Sequence, residues 1–144
     1  MPYDVPAKNL EAVAAMVHDE YARDAVRATE AVDAGDTFDD IIVPDFSKKG
    51  VVRLDLITLD STSCAPCQYM FDAAKRAAAS AQTGGVKVEV IEHKIKVREG
   101  VGMMVKLGVK ALPTICIDGC VSFISIIPDQ PTLIKAIEDA AAKK

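Results

Sequence analysis

Residues 51–144 predict an α/β domain with the element order β-α-β-α-β-β-α around a central mixed sheet. Three observations lead there. Runs rich in β-branched residues alternate with segments of helical periodicity, a two-residue turn signal joins the last two runs, and an amphipathic segment closes the chain.

The elements follow in order. "VVRLDLITL", Val51 to Leu59, is β-branched and largely apolar, as a strand covered on both faces should be. From Cys64 to about Ala81, Met70, Phe71, Ala74 and the alanines around Ala78 supply a helix, which Thr83-Gly84-Gly85 ends. "VKVEVIEH", Val86 to His93, alternates apolar and polar and reads as a second strand. Glu99 to Leu107 makes a short helix with Met103 and Met104 as core filler, closed by Gly108. "TICI" and "CVSFISI" flank Asp118-Gly119, a hairpin signal that sets Cys116 opposite Val121 and Ile117 opposite Cys120. Asp129 to Ala142 ends the chain as a helix with Leu133, Ile134 and Ile137 inside.

The first part of the chain obeys another grammar. Leu10, Val13, Val17, Tyr21, Ala25, Ala28 and Val32 form one stripe of an amphipathic helix, with Gly35 placed to cap it. Residues 36–50 read as a connector, so the expected organisation is a helical extension over 1–48 and an α/β domain over 49–144. Residues 1–45 carry eleven acidic against three basic side chains, −8, and the remainder ten against fourteen, +4. An acidic head should therefore dock on a mildly basic body, within one chain or between two, which leaves monomer and homodimer both open. Neither part is basic enough for nucleic-acid binding. No basic segment precedes an apolar run at the start and no long apolar run follows, so the expectation is a soluble, cytoplasmic protein away from membranes.

Of the four cysteines, two are close together in "STSCAPCQYM". A reducing compartment disfavours a structural disulfide framework and leaves catalysis, metal binding or core packing. Cys64 falls where a strand gives way to a helix, so unpaired N–H groups and the helix dipole should stabilise its thiolate. Pro66 suits the opening of a helix, where its missing N–H costs nothing. Cys67, one turn inward, should be more buried and act as the resolving thiol, attacking a mixed disulfide formed on Cys64. The pair alone also fits half a zinc site.

C-A-P-C after an apolar strand, "GVKALPT" further on, a D-G hairpin and a final amphipathic helix together resemble the thioredoxin superfamily. The similarity covers about residues 51–144. It implies a thioredoxin-like fold and a thiol–disulfide oxidoreductase without cofactor. Its partners would be a protein disulfide and an upstream reductase, its chemistry electron transport in cell redox homeostasis. It also implies that Cys64 is the nucleophile and Cys67 the resolving thiol, and that Pro113 follows a cis bond. Leu112 and Pro113 would then line a substrate groove with Ala65 and Pro66. The departures point to a specialised member: Ser63 stands where thioredoxins carry tryptophan, Ala65 replaces glycine, and Thr58 occupies the place of a buried aspartate.

Two other classes stay open. A zinc or [2Fe–2S] electron-transfer protein would need Cys116 and Cys120 to join the first pair, which the hairpin register opposes by turning them to opposite faces. The expected metal set is none, and both thiols read as small hydrophobes in strands. A non-catalytic adaptor would use the groove and the acidic head for binding alone. His18 and His93 read as solvated or capping residues. Lys94, Lys96 and Arg98 read as a solvated loop, with steering of a partner as the alternative.

Overall fold

A computed structural model describes residues 11, 12, 14–16 and 37–144. The chain divides into two compact units, residues 1–38 and 39–144. Glu11, Ala12 and residues 14–16 are helical. Every residue of the expected head stripe, its glycine cap and His18 lie outside the described residues.

In the second unit the strands β1 (Val51–Thr58), β2 (Lys87–Lys94), β3 (Thr114–Ile117) and β4 (Cys120–Ile124) are joined by helices α1 (Ala65–Thr83) and α2 (Arg98–Lys106), and α3 (Gln130–Ala142) closes the chain. Their order along the chain is the expected one, with boundaries moved by at most two residues. The sheet is mixed and runs β2-β1-β3-β4. β1 pairs parallel with β2 and antiparallel with β3, and β3 pairs antiparallel with β4. The hairpin has the expected register, Ile117 against Cys120 and Cys116 against Val121, with an irregularity at Ile115/Cys116. Asp118 and Gly119 both have positive φ, as this turn demands.

β1 is buried along almost its whole length because both of its faces are covered. Val52, Leu54 and Leu56 face α1 and α3, in a cluster with Met70, Ala74, Ala77, Ala78, Ile115, Leu133 and Ile137. The alanines recur at helical spacing and let α1 lie close on the sheet, so this layer packs through small side chains. Ile57 and Cys116 face the other way, with Met103, Val109 and the flanking Ile41, Met104 and Leu112. Ile41 packing there, and Asp40 pairing with Arg98 at 2.8 Å, tie residues 39–50 to the sheet unit. Ile41 is half-buried beside charged residues, so this connector carries no periodic signal in the sequence.

Gly100 fixes how α2 meets the sheet. A Cβ there would lie 1.8 Å from the Lys94 carbonyl oxygen, so only glycine lets the helix start this near the end of β2.

Candidate active site

Strand directions gather four loops at one end of the sheet. Thr58 aligns with Lys94, Ile57 with Thr114, and Thr114 with Ile124. The segments 59–64, 95–97, 111–113 and 125–127 therefore leave the sheet together.

Cys64 is the N-cap of α1, with extended φ and ψ of −121° and 109°, and Pro66 sits in the first turn. No side chain caps this helix end and no acidic residue lies in its first turn. Its N–H groups and dipole are thus free to receive a thiolate. Cys64 is half-buried, while Cys67 is 1% exposed. Burial pushes the Cys67 thiol up, and its hydrogen bond with Cys64 pushes it further; the backbone N–H groups of Leu59 and Asp60 pull the other way. An accessible sulfur at a helix N-terminus touches a buried one that ionises less readily, which is the asymmetry a nucleophile and a resolving thiol require.

The loop that carries Cys64 is held by polar contacts. The Asp60 carbonyl accepts from the N–H of Cys64 at 2.9 Å and of Ser63 at 3.1 Å. The Asp60 carboxylate accepts from the Thr62 hydroxyl at 2.7 Å, and Lys94 and Lys96 approach it at 2.9 and 3.0 Å. The Thr62 hydroxyl, then these ammonium groups, hold the Asp60 carboxyl far below the usual carboxylate range. Lys96 also donates to Ser63 Oγ at 2.9 Å, next to the nucleophile.

Glu92 reaches in from β2. Its carboxylate accepts from Thr58 Oγ1 at 2.6 Å and from Ser61 N and Oγ at 2.9 Å each. Burial alone would raise its carboxyl, but these hydrogen bonds outweigh it and hold the group below its ordinary value of 4.5. A depressed native pKa stabilises the fold above the ordinary value, and that contribution is lost as pH falls through 4.5 toward the native value. Urea midpoints measured from neutral pH down to acid should therefore fall, and Glu92→Gln should flatten part of that fall. An identical slope in the variant would contradict the assignment.

The other candidate residues take their places from the strands. Ala65 and Pro66 are exposed at the start of α1. The Leu112–Pro113 bond is cis; Pro113 is buried, and Leu112 packs on the α2 side of the sheet. Ser125, with φ 55°, donates through N to the Pro113 carbonyl at 2.8 Å and through Oγ to that of Leu112 at 3.1 Å.

Three of the sequence readings change. His93 is not solvated: its Nε2 lies 2.7 Å from Oδ1 of the fully buried Asp55, which Arg53 Nε also contacts at 2.9 Å. Lys94 and Lys96 are tethered to Asp60 instead of standing free in solvent. Asp60 bonds directly to the backbone of Cys64 through its carbonyl. Cys120 is exposed on the edge strand, so only Cys116 behaves as a core hydrophobe; burial, then Asp55 and Cys120, push its thiol up to about 12. The network of Thr58, Ser61, Glu92 and Asp60 gave a single sequence signal, a glutamate on the inward phase of an alternating strand.

Alkylation of the native protein followed by peptide mapping should label Cys64 and Cys120 first and Cys67 later. Cys116 should stay unlabelled until the protein is unfolded. Early labelling of Cys116 would show that its strand opens readily.

Among the described residues, no group of three or more histidine, cysteine, aspartate or glutamate side chains could hold a metal ion. No described helix is long and apolar enough to cross a membrane. Set against known protein families, curated proteins and solved structures, the chain matches none.

Proposed function

We propose that the protein is a thiol–disulfide oxidoreductase with a thioredoxin-like fold, exchanging the Cys64–Cys67 dithiol with a disulfide of a protein partner. The observation that carries this reading is the contact between a half-exposed Cys64 at an uncapped helix N-terminus and the buried Cys67.

In the reductive direction the Cys64 thiolate attacks one sulfur of the substrate disulfide, forming a mixed disulfide and releasing the other sulfur as a thiolate that takes up a proton. Cys67 then loses its proton and attacks Cys64 Sγ, releasing the second substrate thiol. The substrate gains two electrons and the protein is left with a Cys64–Cys67 disulfide. An upstream dithiol reductase restores the pair. The order β2-β1-β3-β4 supports the fold assignment, since it sets the Cys64 turn and the Leu112-Pro113 loop at the same sheet end.

A protein substrate suits the surroundings of the site. Leu59, Val97, Ile126 and Ile127 leave that same end of the sheet exposed, Ile126 at 71%. Apolar side chains grouped at a reactive thiol offer contact area that a small disulfide would not use. To test the reading, Cys67→Ser is incubated with an oxidised protein substrate such as insulin. A covalent complex that dissolves with reductant, and that fails to form when Cys64→Ser is added, is the expected result. No complex, together with no substrate reduction by the native protein, would end the proposal.

A further inference from the structure

We propose that Glu92 is a positioning residue for Cys67: its carboxylate pins the loop after β1, keeping the backbone N–H groups of Leu59 and Asp60 aimed at the Cys67 sulfur. The kinetic part of this inference rests on the exchange reading above, whereas the positioning itself does not.

Leu59 and Asp60 are bracketed by the contacts of one carboxylate. Glu92 holds Thr58 on one side of them, through Oγ1, and Ser61 on the other, through both N and Oγ. Thr58 is fully buried and Ser61 is 8% exposed. Leu59 cannot anchor the loop itself, because its own side chain is 43% exposed. Asp60 provides a second tether through Lys94 and Lys96, whose side chains are 36% and 49% exposed. Salt screens that outer tether far more than the inner one. The inner clamp therefore sets where the two N–H groups point.

Their direction matters because Cys67 is buried and must ionise to resolve a mixed disulfide. Hydrogen bonds from N–H groups favour the thiolate and offset part of its desolvation. Cys64 is the titratable group in contact with Cys67; Glu92, Asp60, Lys94 and Lys96 are bonded to one another around the loop. Glu92 stays ionised near neutral pH, so it serves as an acceptor for the loop and not as a proton relay.

Clamp and charge predict opposite signs. A carboxylate acting only as a nearby negative charge would raise the Cys67 titration, and deleting it would lower the midpoint. A carboxylate acting as a clamp holds the loop donors in place, and deleting it raises the midpoint. Glutamine keeps acceptor and shape but not charge.

The experiment follows the Cys67 Cβ chemical shift against pH in the full chain. Glu92→Ala should move the Cys67 midpoint up by about one pH unit and slow resolution at neutral pH about tenfold. Glu92→Gln should restore the native midpoint or fall slightly below it. Ser61→Ala, which removes one hydrogen bond, should shift the midpoint upward by less and serves if Glu92→Ala does not fold. Concentrated salt should leave the difference between Glu92→Ala and the native protein in place. An unmoved or lowered midpoint in Glu92→Ala, or in Ser61→Ala if that variant alone folds, would overturn the proposal, as would equal upward shifts in Glu92→Ala and Glu92→Gln. The titration needs no exchange chemistry. An inactive protein whose Cys67 midpoint still moves as described would refute the oxidoreductase reading and leave the positioning role standing.

Discussion

In a Cys120→Ser background, the reduced protein should release two thiolates from dithiobis(nitrobenzoate) in two separable steps. Cys64 attacks first and keeps one aryl sulfide as a mixed disulfide; Cys67 then displaces it, leaving the Cys64–Cys67 disulfide. The background is needed because Cys120 is an exposed thiol that would add its own signal. Cys116 should add none, being fully buried with its thiol pushed up to about 12. Cys67→Ser should give the first release at native rate and no second, since no neighbouring sulfur remains to resolve the intermediate. Cys64→Ser should slow the first release at least about a hundredfold, because it leaves only a buried thiol whose pKa is raised. Stopped-flow absorbance separates the steps. A Cys64→Ser variant reacting as fast as the native protein would assign the nucleophile wrongly.

How much of this was legible in the sequence depended on whether a feature had a local signal. Element order was legible because hydrophobic period switches cleanly between "VVRLDLITL" and the alanine-rich helix, and because Asp118-Gly119 dictates a tight hairpin. The nearness of Cys64 and Cys67 at a strand-to-helix turn was legible for the same reason: their spacing, the proline between them and the strand before them all lie within one short stretch. The Glu92 clamp was not. In "VKVEVIEH" Glu92 follows Val86, Val88 and Val90 on the apolar phase of the strand, which marks it as a charge facing inward but does not say what it meets there. Only the parallel register, which sets Thr58 beside Lys94, brings Glu92 under the loop from the other strand. Pairings across a parallel crossover have no fixed offset in sequence, so no spacing rule finds them. Cys120 failed as a core residue for a related reason. β4 is the outermost strand of the described sheet, and an edge strand can expose residues that a pattern rich in β-branched side chains would bury.

Asp55→Ala should destabilise the fold by about 3 to 5 kcal/mol, the range expected when one member of a buried charge cluster is removed. Asp55 stands in the middle of β1 with no exposed surface, on the face opposite α1 and in register with Cys116. Its two oxygens accept from Arg53 Nε at 2.9 and 3.1 Å, and Oδ1 lies 2.7 Å from His93 Nε2. Deleting the carboxylate strands both partners, whose side chains are only 19% and 14% exposed. Part of the loss is that stranding, not the worth of the pair itself, so removing the histidine as well should help. The double variant Asp55→Val with His93→Phe should recover some stability, with the Arg53 guanidinium reaching water along its aliphatic stem. Urea denaturation at neutral pH measures both. The first thiolate release by Cys64 should keep its native rate in folded Asp55→Ala, since the cluster lies across the sheet from α1. An Asp55→Ala variant within about 1 kcal/mol of the native protein would mean that water or a rearranged neighbour replaces the carboxylate, and that the cluster is no more costly to break than a surface pair.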